Sequence, residues 1–105
     1  MDIYIEDEDL KELIETGKDR KYKKFSKDKV FMQKLVMVIQ TMRAVSNTRM
    51  LGSVSFLHYE RLKHSGRSSI RIMNGRVERL IFRESEDGKE VTIIILDETH
   101  YGNKK

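Results

Sequence analysis

The stretch that decides the fold is Arg67 to Tyr101, R-S-S-I-R-I-M-N-G-R-V-E-R-L-I-F-R-E-S-E-D-G-K-E-V-T-I-I-I-L-D-E-T-H-Y. Three runs rich in Ile, Leu, Val and Phe are separated by Asn74-Gly75 and by Asp87-Gly88. Both dipeptides supply the positive-φ residues of tight hairpin turns, so the segment predicts a three-stranded antiparallel meander. Alternation then sorts the faces. Ile70, Ile72, Leu80 and Phe82 point to one side together with Glu78, and we expect that side to pack on helices. Ser69, Arg71, Met73, Val77, Arg79, Ile81 and Arg83 point to the other. The third run, Val91 to Leu96, is apolar on both sides, as in a strand covered on both faces. An arginine in mid-strand between apolar neighbours is costly unless solvent or an anion meets it. The arginine face, running toward Asp97-Glu98-Thr99-His100-Tyr101, is therefore where function is expected.

The preceding residues supply the layer behind the sheet. Met1 to Ile5 alternates as a short strand does. Asp7 or Asp9 can cap a helix carrying Leu10, Leu13 and Ile14, which Gly17 ends. The basic segment K-D-R-K-Y-K-K-F-S contains Tyr22 and Phe25. We read it as a solvated connector with both rings docked on the core, rather than as a nucleic-acid patch. Ser26 is the expected N-cap of a helix from Lys27 to about Val45. Its apolar stripe is Phe31, Leu35, Val38, Met42 and Val45, widened by Val30, Met37 and Ile39. Ser46 to Gly52 reads as a loop, Ser53 to Leu57 as a short extension, and His58 to Gly66 as a loop leading into the sheet. Met50, Leu51 and Val54 find no place in this expected core. The whole is an α+β fold: an N-terminal strand, two helices, then a C-terminal antiparallel meander forming one sheet packed on the helices.

A chain of 105 residues fits one domain, residues 1–105, without repeats or linkers. It has no cysteine, which excludes disulfides and thiolate metal sites and suits a reducing, cytoplasmic setting. No apolar run approaches the roughly 20 residues of a membrane span, and the acidic start M-D-I-Y-I-E-D-E-D is unlike a signal peptide. With 21 Lys and Arg against 17 Asp and Glu, the net charge is +4. Its distribution is uneven: the first fifteen residues are acidic, while Lys18 to Lys29 and His58 to Arg83 are basic and suited to polyanions.

Several chemistries are excluded. There is no Gly-rich phosphate loop and no nucleophile elbow, and His58, His64 and His100 match no zinc spacing. No metal or cofactor is expected. Asp97 and Glu98 are adjacent and face opposite ways on a strand, so they do not form a carboxylate pair. What remains is imidazole and cations acting on an anion. Metal-free RNA cleavage needs a base for the 2′-OH, an acid for the leaving 5′-oxygen, and cations for the phosphorane charge. His100, Glu98 and Tyr101 are the candidates for proton transfer, and Arg79, Arg71 and Lys63 for charge. His58, Arg67, Arg71, Arg76 and Tyr101 are candidates for holding the RNA strand.

These residues also carry a resemblance. The loop L-H-x-x-x-L-K, then S-I-R-I, R-V-E-R-L-I-F, D-G and I-L-D-E-T-H-Y, following a strand, a helix and a long helix, resembles the RelE/ParE toxin superfamily, most of all its HigB branch. E-T-G-K-D-R-K-Y-K-K-F-S-K-D is similar to that family's connector between helices. The resemblance implies a RelE-like sheet and a ribosome-dependent mRNA endonuclease, held silent by an antitoxin of the HigA-like helix-turn-helix kind. It implies that Arg79 stabilises the transition-state phosphate and that His58 and Lys63 are the loop residues before the sheet. It further implies that Glu98-Thr99-His100 is the terminal group in which His100 moves protons. Thr99 stands where the family often has an aromatic ring, which Tyr101 can supply instead. Two other readings share the fold: a ParE-like protein that binds DNA gyrase without cutting RNA, and a binding module without activity.

Overall fold

A computed structural model describes residues 1–62 and 65–98. Five strands form one mixed sheet in the order β1-β5-β4-β3-β2. They are β1 (Asp2–Ile5), β2 (Glu60–Leu62), β3 (Arg67–Arg71), β4 (Arg79–Glu84) and β5 (Glu90–Asp97). The expected meander of β3, β4 and β5 is present, and β2 extends it within the segment expected to be a loop. β1 lies parallel to β5, from Asp2↔Glu90 to Ile5↔Ile93. Turn chemistry and alternation announce hairpins, but a parallel pair has no local turn to announce it.

On one side of the sheet lie α1 (Glu8–Thr16), α2 (Lys23–Ser26) and α3 (Lys29–Ala44). Asp7 caps α1 by accepting from Asp9 N and Leu10 N, and Gly17 ends it at φ 80°. The same Asp7 carboxylate accepts the Tyr22 hydroxyl at 2.6 Å, tying the connector to the start of α1. Tyr22 and Phe25 are indeed core residues. Ser26 does not cap the long helix. Its hydroxyl donates to Lys23 O and closes α2, while Asp28 accepts Phe31 N at 3.0 Å and starts α3. Two short 3-10 turns, Thr48–Ser53 and Ser55–Leu57, follow α3. They bury Leu51 completely and pack Val54 against the core, giving both a place that helix and strand periodicity could not show; Met50 stays exposed.

The expected core face holds: Ile70, Ile72, Leu80 and Phe82 join Phe31, Leu35, Val38 and Met42 of α3. The prediction that β5 is covered on both sides does not. Opposite Ile81 and Phe82 the register slips, pairing Ile81 with Ile95 and Phe82 with Ile93. The irregularity falls at Ile94, and Ile95 is left 36% exposed on the far face. A strand between two neighbours is shielded along its edges, but its faces are covered only if a second layer lies on each. No helix among the described residues is long and apolar enough to cross a membrane.

Candidate anion-binding face

Strand pairing sets Arg71 directly opposite Arg79, and Arg79 opposite Asp97, so this rung crosses β3, β4 and β5. Directly opposed residues point to the same face, here the one away from the helices. The next rung, Ser69, Ile81 and Ile95, provides a mostly apolar floor beside the two guanidinium groups. Arg79 is only 8% exposed. Its Nε donates to Ser69 Oγ at 2.8 Å, and one terminal nitrogen donates to the His58 carbonyl at 2.7 Å. The Glu60 carboxylate, mostly exposed, lies 3.6 Å away, and Asp97 stands across from Arg79 on β5.

His58 reaches this carbonyl geometry by adopting φ 48°, ψ 50° at the end of the second 3-10 turn. Left-handed backbone costs a non-glycine residue roughly 1 kcal/mol or more. The imidazole Nε2 meets Asn74 Oδ1 at 3.0 Å, linking the loop to the β3–β4 turn. His58 thus holds Arg79 through its backbone.

Electrostatically the rung is unsettled. Burial pushes the Arg79 guanidinium down from its ordinary value, Glu60 offsets part of this, and the charge of Arg71 adds to the depression. Arginine stays protonated regardless, so the cost appears as unfavourable free energy. Arg71 Nε is buried and has no hydrogen-bond partner among the described residues. Such a donor, beside a second desolvated cation, is what an incoming anionic oxygen would satisfy.

Of the sequence candidates, the structure brings Arg71, Arg79 and His58 together. Arg67 lies further along β3, exposed and opposite Leu62. Arg76 is elsewhere: its Nε and one terminal nitrogen each lie 3.0 Å from the Glu78 carboxylate, and the other reaches Asp28 at 2.9 Å. It also lies over the Phe31 ring, so its cation fastens the start of α3 to the sheet. Glu98 pairs with Lys24 across a solvent-exposed gap. Lys63, His100 and Tyr101 lie outside the described residues. Sequence reasoning missed Ser69, Glu60 and Asn74. Ser69 carried a usable signal, since it alternates with Arg71 on one face. Glu60 and Asn74 carried none, because their roles follow from β2 and from His58. No protein-family model matches this chain, and no curated protein matches it.

Proposed function

We propose that this chain is a RelE/ParE-superfamily toxin of the HigB-like kind, a metal-independent endoribonuclease that cuts mRNA in the A site of the ribosome. The observation that carries the reading is the Arg71–Arg79 rung, with its buried, unpartnered Arg71 Nε. An extended phosphodiester is an anion that can run along such a rung, and a phosphate oxygen offers the lone pairs those donors lack. The strand order and the helices confined to one side of the sheet are compatible with a RelE-like layout.

In this mechanism the ribose 2′-oxygen attacks its own phosphorus, passing its proton to the base. The 5′-oxygen leaves with a proton from the acid, giving a cyclic phosphate and a 5′-OH. His100, assisted or replaced by Glu98, carries these protons. Arg79 and Lys63 neutralise the charge gathering on the phosphorane, and Arg71, His58 and Arg67 hold the strand. Tyr101 stacks on a base to keep the attack in line. Glu98 is released from Lys24 at little cost, because exposed ion pairs are worth about 0–1 kcal/mol. A helix-turn-helix antitoxin with an acidic segment would silence the basic face.

The test is inducible expression of wild type, Arg79→Ala and His100→Ala, with primer extension on a translated reporter and circular dichroism on each purified chain. Wild type should arrest growth and cut within codons; both folded variants should lose the cuts. Arrest without cuts points to gyrase binding instead, and no arrest points to a binding module.

A further inference from the structure

At the far end of β4 from Arg79, a cleft of about 450 Å³ opens between the first 3-10 turn and the β4–β5 turn. Its floor is Glu84, whose side chain is only 8% exposed. Glu84 Oε2 accepts the Ser68 hydroxyl at 2.5 Å and the Tyr59 hydroxyl. Burial pushes this carboxyl up, but hydrogen bonds from Ser68, Tyr59 and Thr48 outweigh it and hold the group ionised. Oε1 has a weaker partner, Arg61 at 3.5 Å, a length at which little hydrogen bonding remains. That arginine is 77% exposed. Arg49, also exposed, and Asn47 complete this side of the rim. On the other side Asp87, held ionised by the bonds it accepts from Lys89 N and Ser85 Oγ, stands beside Glu86, so one rim carries carboxylates and the other arginines.

The cleft therefore joins an ionised, acceptor-only floor and a carboxylate rim to a rim that carries two exposed arginines. An anion entering it must sit at the arginine rim, and whatever it presents to the floor and the carboxylate rim must donate. A ligand that carries an anion at one end and neutral hydroxyl donors at the other satisfies both. We propose that this cleft binds a ribonucleotide, with its phosphate on Arg49 and Arg61 and a ribose hydroxyl donating to Glu84. Carboxylates recognise ribose hydroxyls in this way, and the 2′-OH is the group that separates RNA from DNA. The volume is within the range of small-molecule clefts. The nucleotide can be free or part of an RNA strand. The inference does not depend on the Arg71–Arg79 rung or on the toxin reading.

The experiment is calorimetric titration of the full chain with AMP, 2′-deoxy-AMP and a short adenylate RNA. AMP should bind, and the deoxynucleotide should bind about tenfold more weakly, the cost of leaving a charged acceptor unmet. Arg49→Ala with Arg61→Ala, both at exposed positions, should weaken AMP by at least about tenfold, and by the same factor in an Arg71→Met background, where the rung does not contribute. Glu84→Gln should erase the ribose preference; if that variant does not fold, the AMP to deoxy-AMP ratio of wild type carries the same information. RNA binding that depends on Arg49 and Arg61, with or without AMP competing, assigns the site to a strand, and AMP binding alone assigns it to a free nucleotide. Equal affinity for AMP and deoxy-AMP, binding of neither AMP nor RNA, or binding indifferent to Arg49 and Arg61 overturns the proposal.

Discussion

Replacing Arg71 by methionine should make the protein more stable while removing its affinity for polyanions at the rung. Arg71 and Arg79 stand directly opposite each other, so their Cβ atoms are about 5 Å apart. Two like charges about 6 Å apart at an effective dielectric of about 20 repel by roughly 3 kcal/mol. Solvent at partly exposed Arg71, the nearby carboxylate of Glu60 and that of Asp97 across from Arg79 reduce this, leaving about 1 kcal/mol to be recovered. Methionine keeps the aliphatic stem, so little packing is lost, and the unpartnered Nε disappears. For a domain of this size the melting temperature should rise by about 5 °C or more. The assay is urea unfolding at low and at high NaCl. At low salt the variant's midpoint should be higher with an unchanged slope, and the gap should narrow as salt screens the repulsion in wild type. A variant less stable than wild type, or a gap indifferent to salt, would falsify the claim that the rung is electrostatically strained.

Gly88 has φ 71°, and a Cβ there would lie 2.9 Å from Thr48 Oγ1, whereas Gly17, at φ 80°, has open space. Gly17→Ala should cost about 1 kcal/mol from backbone strain, and Gly88→Ala distinctly more, so equal melting temperatures would refute the contact. Tyr22→Phe should destabilise by about 1–2 kcal/mol in chemical denaturation, since its hydroxyl is hydrogen-bonded to the cap of α1. Stability should also fall at both ends of the pH scale. Glu84 and Asp7 sit below their ordinary values of 4.5 and 3.8, so what they contribute is complete above those values and lost as acid carries the pH through the lower folded ones. Tyr59 and Tyr22 sit above 10.0, so their contribution is complete below that pH and lost as alkali rises through the higher folded values. Thermal melts across pH should show Glu84→Gln flattening the acid limb and also softening the alkaline one, because the Glu84 carboxylate helps to hold the Tyr59 proton.

What the sequence determined by itself was everything governed by short-range periodicity and turn chemistry. Asn74-Gly75 and Asp87-Gly88 located the hairpins, although the connections are residues 72–78 and 85–89 rather than the tight turns expected. Gly17 ended a helix, and alternation put Ile70, Ile72, Leu80 and Phe82 on the core face and Arg71 and Arg79 opposite. Tertiary structure decided which rows met. The parallel pairing of β1 with β5, the slip at Ile94 and the capture of Leu51 depend on neighbours distant in sequence. Arg76 shows the limit most clearly. In the sequence it is one more arginine of a basic stretch, and in the fold it binds Glu78 and Asp28, the latter 48 residues away. His58 makes the same point from the backbone side, holding Arg79 with its carbonyl while its ring faces Asn74. A side chain's type shows what it can bond to, but its partners are set by register and by where loops return, and those are fixed only once the chain has closed on itself.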